Sequence, residues 1–253
     1  MRGIINKISR KFTQLRLQPI RVFCFHQVSE IFDPDVYCKP DWVPTSYLKQ
    51  FIEDLQKDGY EFISLVDAYS YIKKDIVRCK KYAVLTADDG LKCQLDFVPW
   101  LEEHNVPITL FVNVETLNGD VCGKPMKEHF QIECKEEEMR HAKQLYIERK
   151  DLKMVSDIVS IGMHGVNHNE VTHMSDEEFR RVVEECKDKI GLFEKYIPFY
   201  AYTFGKYAFN TDAILHSANV VPVLTDGLKN YDDLNYVHRE VIEKKYKEKN
   251  RYV

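Results

Sequence analysis

The 253-residue sequence predicts a single-domain α/β fold, an irregular (β/α)7 barrel, from three observations. Seven short runs rich in β-branched and aromatic residues recur along the chain. Between them lie longer stretches whose apolar residues fall at helical spacing. No Gly/Ser/Pro-rich linker, repeat or low-complexity tract divides the chain. Strands that alternate with helices run parallel and are covered by those helices, and this many of them suit a barrel better than a small open sheet.

The first strand candidate is "IRVFCF" (20–25), which ends at His26. A helix is predicted over 46–58, with Leu48, Phe51, Ile52 and Leu55 on one face and Gly59 as its stop. "EFISL" (61–65) and "YAVLTA" (82–87) are the next strands. The second of these runs straight into Asp88, Asp89 and Gly90, where the glycine permits a tight turn. Residues 91–105 read as a helix and "PITLFVN" (107–113) as a strand. The stretch 114–156 is longer than an ordinary connection and rich in Glu and Lys; one or two solvated helices are expected there, such as 134–147. "DIVSIGM" (157–163) is a strand candidate. Over 176–196 a helix is predicted, opened by a capping box of Ser175 and Glu178, with Phe179, Val182, Val183, Cys186, Ile190 and Phe193 as its buried stripe. "PFYAYTF" (198–204) and "VVPVLT" (220–225) complete the strands.

A net charge of −4 and a pI near 6.2 give no reason to expect nucleic acid as a partner. Seven cysteines, odd in number and without a C-x-x-C pair, read as reduced thiols. No stretch approaches the length of a membrane span, and the N-terminus lacks the continuous apolar core of a signal peptide. The expectation is therefore a cytoplasmic protein. Residues 1–19 are set apart from the domain at 20–253 as a basic amphipathic segment, with Ile4, Ile8, Phe12 and Leu15 at helical spacing. Docking on the protein's own body is its first expected role and peripheral membrane contact its second.

Chemistry in parallel α/β folds gathers at the carboxyl ends of the strands. By that rule His26, Asp88 and Asp89, Asn113, His164, and Thr203 with Gly205 share one rim. "IGMHGVNHNEVTH" (161–173) carries three of the chain's nine histidines. A lone histidine is ordinarily structural, but His164 and His168 are four apart and can put both rings on one side of a helical turn. This is not the H-E-x-x-H of a zinc protease, because Gly165 stands where the general-base Glu belongs. Asp plus two His makes a sound three-ligand set for Zn²⁺ or a similar ion, and the neighbouring Asp can serve as general base. His173, five beyond His168, is expected to be structural or to support a ligand.

These motifs resemble those of the NodB-homology polysaccharide deacetylases, carbohydrate esterase family 4. T-A-D-D-G is similar to that family's T-F-D-D-G, and the resemblance implies Asp88 as catalytic base and Asp89 as metal ligand. H-G-V-N-H resembles the motif whose two histidines bind the metal, which implies His164 and His168. "AYTFGKY" (201–207) is similar to the third motif, implying that Tyr202, Phe204 and Gly205 line the groove and that a backbone N–H near Phe204 holds the oxyanion. "VFCFHQV" resembles the C-Y-H segment of the subgroup that deacetylates biofilm poly-N-acetylglucosamine, whose fold is a seven-stranded barrel variant. There the early histidine takes the acid role, which implies His26; His216 and His238 are the weaker candidates.

The chain also departs from the family pattern. Ala87 replaces a Phe, Gly165 a Ser/Thr that braces the metal loop, and Ala201 and Thr203 the Arg and Pro of the stricter third motif. The family Arg holds the catalytic Asp, so Asp88 is expected to lose that support, and no L-x-H follows Arg239. The resemblance implies one divalent ion, expected to be zinc, and an N-acetylated saccharide as partner, with a metal-dependent N-deacetylase as the leading function. An intracellular precursor of a surface glycan is the expected saccharide. The alternatives are a catalytically impaired carbohydrate-binding protein on the same fold and an O-deacetylase.

Overall fold

A computed structural model describes residues 19–33, 41–73, 80–118, 145–230 and 235–249. The chain opens with β1 (Arg21–Phe25), followed by the short β2 (Gln27–Val28) and β3 (Trp42–Val43), which pair with each other. Then come α1 (Thr45–Lys57), β4 (Tyr60–Phe62), α2 (Leu65–Lys73), β5 (Lys81–Ala87), α3 (Lys92–Glu103) and β6 (Ile108–Val112). The second half holds α4 (Arg149–Leu152), β7 (Val159–Met163), α5 (Asp176–Ile190), β8 (Tyr196–Ala201), α6 (Phe209–Ser217) and β9 (Val221–Leu224). It ends with β10 (Val237–His238), β11 (Glu240–Val241) and α7 (Ile242–Lys249).

Six of the seven strand candidates are strands over most of their length, while of "EFISL" only Glu61 and Phe62 belong to a strand and Leu65 opens α2. Every pairing in the main sheet is parallel. The sheet runs β10-β9-β8-β7-β6-β5-β1-β11, with β4 beside the first half of β5. Residues 237–241 lie at both ends of that order. Their first half pairs with β9 and their second half with β1. One short segment thus bridges the last long strand to the first and brings the barrel close to closure. Arg239, at its kink, is fully buried.

Side chains alternate faces along each strand, and the core divides accordingly. Val22, Val84, Phe111, Phe199 and Val223 form one buried cluster. Phe23, Phe25, Leu85, Leu110 and Ile161 belong to another, shared with Leu48 and Ile52 of α1, Leu101 of α3, and Phe179 and Val183 of α5. The helices cover this second face. Helix α5 begins on the expected capping box: Ser175 Oγ accepts from the Glu178 N–H, and Glu178 Oε2 accepts from the Ser175 N–H at 2.7 Å.

Further details differ from the sequence expectation. The helix placed over 176–196 stops at Ile190, because the chain turns at Gly191 and enters β8 at Tyr196. Strand β8 ends at Ala201, where Thr203–Gly205 form a turn with Phe204 at φ 56°. His164 and His168 do not share a helical turn; they sit on a loop in which Gly165 (φ 87°) and His168 (φ 58°) take left-handed conformations that no helix contains. Residues 1–18 of the basic segment expected over 1–19 and residues 134–144 of the helix expected at 134–147 lie outside the described residues. Among the described residues no helix is long and apolar enough to cross a membrane.

Gly162 on β7 lies directly under the Phe111 ring of β6, and a Cβ there would stand 2.5 Å from a ring carbon. Gly162→Ala is therefore expected to destabilise the barrel by about 1–3 kcal/mol through overpacking. Urea unfolding followed by far-UV circular dichroism measures it.

Candidate active site

Strand β5 delivers Asp88 and Asp89 to the carboxyl end of the barrel, both buried. Asp89 (φ 72°) and Gly90 (φ 66°) are both left-handed, so the backbone reverses and the adjacent carboxylates meet different partners. Buried Gln94 ties this turn to β1, its amide donating to the carbonyls of Asp88 and His26.

Asp88 is held by Arg239. Nη1 donates to Oδ1 at 2.6 Å and Nη2 to Oδ2 at 2.7 Å, a two-pronged pair with both partners buried. The guanidinium also donates to Thr86 and Thr225 and lies 5.2 Å from the Phe111 ring centroid. The support expected to be lost with Ala201 is thus supplied from another strand. Burial alone would push the Asp88 carboxyl up, but Arg239, followed by His164, outweighs it and holds the group at about 2.

Asp89 faces the two histidines. Its Oδ1 lies 3.3 Å from His164 Nε2 and 3.1 Å from His168 Nε2. His164 Nδ1 lies 2.8 Å from the Ala201 carbonyl, which can only accept, so Nδ1 carries a proton. In the neutral ring the Nε2 lone pair then points at a carboxylate oxygen, an arrangement that a cation between them relieves. Buried donors of this kind, all within 4.8 Å of one another, fit a divalent ion.

The loop carrying the histidines is braced without the family Ser/Thr. His164 N–H donates to the Val112 carbonyl, Val114 N–H to Gly165, and Glu115 N–H to Val166. Thr203, which stands in place of the family Pro, donates from Oγ1 to the Asn169 carbonyl at 2.7 Å. A Cβ at Gly165 would come within 3.1 Å of the Tyr200 hydroxyl, so glycine suits the position sterically as well as conformationally.

His26 ends β1 and lines the same cavity as Asp88, His164 and His168, a space of about 310 Å³. A nitrogen of its ring comes within 4.8 Å of an Asp88 oxygen. Glu243 of α7, itself buried, accepts from the His26 N–H at 2.6 Å and from Nδ1 at 3.1 Å. Desolvation pulls the imidazole down, but Glu243, then Asp89 and Asp88, outweigh it and raise the group to about 10. The buried Cys24 thiol completes a second cluster with His26 and Asp88. Burial pushes that thiol well up, so it stays protonated, and Arg239 already occupies Asp88; this cluster is not a cation site.

Tyr202, Phe204 and Gly205 line the same cavity. The Tyr202 hydroxyl donates to buried Asp212 at 2.6 Å, and the Phe204 ring packs edge-on against His168 with centroids 4.7 Å apart. His173 is exposed and pairs loosely with Glu170, outside the cluster of Asp89, His164 and His168. His238 pairs with Asp226, His216 lies near Tyr236, and neither lines the cavity. Sequence reasoning missed Arg239 and Glu243 as site residues. Both are single charged residues in "HREVIEKKYKEK" (238–249), a stretch whose composition reads as a solvated helix.

The family model for polysaccharide deacetylase matches residues 75–223. A search of curated proteins found no match. Among solved structures, the Streptococcus pyogenes deacetylase PplD in complex with acetate is 19% identical, with 89% of this chain and 92% of that one covered at a TM-score of 0.66. IcaB from Ammonifex degensii is 18% identical over 88% of this chain and 91% of its own, with a TM-score of 0.66. The de-N-acetylase from Aggregatibacter actinomycetemcomitans is 16% identical over 87% and 93%, with the same score. These likenesses show a shared fold.

The two charged pairs act in opposite pH directions. The lowered Asp88 contributes stability that is full above its unfolded value near 4 and is lost as pH falls through about 2. The raised His26 contributes stability that is full below about 6.5 and is lost as pH rises through about 10. Glu243→Gln removes the anion that raises His26. The ring should then lose its proton at a pH lower by more than about one pH unit. Histidine ring signals followed by NMR against pH measure that displacement.

Proposed function

This chain belongs to the polysaccharide deacetylase family, and from that premise we propose that it is a metal-dependent hydrolase that removes acetyl groups from N-acetylated sugars. The observation that carries the reading is the division of labour between adjacent carboxylates. Asp88 is held charged by Arg239 beside His26, while Asp89 faces two imidazoles.

Asp89, His164 and His168 would hold one divalent ion, with zinc the expected one for this Asp-His-His set. Bound there, the ion supplies Lewis acidity toward the acetyl carbonyl and lowers the pKa of water. Asp88 takes the proton of the attacking water. A carboxylate held near 2 is a weak base, so Arg239 keeps it charged and aimed rather than strongly basic. The Phe204 N–H, at the left-handed turn after β8, is the donor for the oxyanion. The C–N bond then breaks, and the amine needs a proton. His26, protonated at neutral pH and held through Nδ1 by Glu243, gives it from Nε2. The products are acetate and the free amino sugar. The C-F-H segment at His26, which resembles the C-Y-H of the poly-N-acetylglucosamine deacetylases, supports an N-acetylglucosamine-type substrate.

The test is acetate release from N-acetyl and O-acetyl sugars, after chelation and after metal is returned. Release from N-acetyl sugars that stops on chelation and returns with metal is expected. Release from O-acetyl sugars alone would make the protein an O-deacetylase, and binding without release would make it a carbohydrate-binding protein. Two variants separate the roles. His164→Ala or His168→Ala should abolish a metal content of about one equivalent, read by elemental analysis. Asp88→Asn should keep the metal and lower kcat by about a hundredfold or more.

A further inference from the structure

Phe204 is a wall shared by two cavities. One is the space holding His26 and Asp88; the other is a groove of about 680 Å³ between the 166–174 loop and the exposed face of α5. Its volume falls in the range of ordinary ligand sites, about 300–1,000 Å³. The Phe204 ring is half-exposed, and its contact with His168 places it at the boundary. A chain of two sugars that puts one ring beside Asp88 and passes over Phe204 brings the next ring into the groove.

The lining tells what kind of ring fits. Val166, Met174 and Val182 give a partly buried apolar surface for the C–H face of a pyranose. The side chains of Asn167 and Asn169 lie beside it, with amides suited to hydroxyl groups. The charges are unequal: among the described residues the groove is lined by Glu170, Glu178 and Glu185, against Arg181 and His173. Arg181 is turned to Glu177 at 2.6 Å, Lys206 compensates Glu170, and Glu178 accepts from Ser175 at the start of α5. Glu185, exposed on α5, is therefore the groove carboxylate best placed to meet a ligand. Carboxylate remains in excess, and an excess of one sign in a concave site concentrates the opposite charge.

We propose that this groove is a subsite for the sugar next to the reacting one, and that it prefers a unit that already carries a free amine. The inference rests on the deacetylase reading above. Each turnover exchanges a neutral amide for an amine that is cationic at neutral pH. A deacetylated unit therefore suits the groove better than the unit it was made from. The substrate is then an oligosaccharide or polymer rather than a single sugar, and deacetylation favours positions beside earlier ones.

The experiment uses tetrasaccharides of N-acetylglucosamine, β-1,4- and β-1,6-linked, each fully acetylated and with one free amine. At low salt the amine-bearing chain of the accepted linkage should have a kcat/KM about tenfold higher. The preference should vanish at about 1 M salt, where charges are screened beyond ~3 Å. Glu185→Gln should cut it at least threefold, and Met174→Trp, which fills the groove, should bring both tetrasaccharides down toward the monosaccharide. Equal rates on the two chains at low salt overturn the proposal, as does a preference that survives salt or both substitutions. If no sugar releases acetate, the deacetylase reading fails, and calorimetric binding of the same tetrasaccharides decides this one. Tighter binding of the amine-bearing chain, lost in Glu185→Gln, upholds the subsite; equal or absent binding overturns it.

Discussion

Asp88 and Arg239 are 151 residues apart in sequence and meet fully buried, each nitrogen of the fork on its own oxygen. Two charges removed from water are tolerated only when each compensates the other, and breaking such a pair costs about 3–5 kcal/mol. The pair therefore joins two requirements. The strand segment 237–241 must lie between β9 and β1 for Arg239 to reach inward, and Asp88 cannot be a buried anion unless it does. Barrel closure and the charge state of the candidate base are one interaction.

The same economy runs through the neighbouring groups. Asp88 and Asp89 are adjacent, yet a left-handed residue and a glycine turn them to separate tasks, one beside a guanidinium and one beside two imidazoles. His26 and Glu243 repeat the pattern with the signs exchanged: a ring partly withdrawn from water stays charged because a buried carboxylate faces it. Arg239, between β10 and β11, and Glu243, in the first turn of α7, stand four residues apart, so one short stretch provides the counter-charge for both Asp88 and His26.

Much of this was legible in the sequence, for physical reasons that differ by element. The strands were visible because a buried parallel strand needs an unbroken apolar run, as in "YAVLTA" and "PITLFVN". Helix α5 announced itself through Ser175, Glu178 and a stripe at helical spacing. The Asp89, His164 and His168 cluster was legible from residue type and spacing, but the helical turn expected for its histidines is a loop. A 3.6-residue period and a loop with Gly165 and His168 at positive φ both bring residues four apart together, and the sequence spacing is the same in each. Strands of two residues, such as β10 and β11, leave no periodicity to read, and with them went Arg239 and Glu243. The departures at Gly165, Ala201 and Thr203 read as losses because compensation came from elsewhere: backbone bonds to the 112–115 segment, the Thr203 hydroxyl and a distant arginine.

The closing segment also has a consequence for how the molecule comes to exist. A ribosome makes β1 early, yet β1 waits for residues 240–241 before its second edge is covered. The contacts that finish the barrel therefore join nearly opposite ends of the described chain, which gives the fold a high contact order and makes its last step slow. Until that step, the edges of β1 and β9 are open and Asp88 lacks its counter-ion. An unfinished chain thus exposes two pairing-competent strand edges and has no Arg239 in place to orient Asp88. Translation confers the aggregation hazard first and the assembled cavity last.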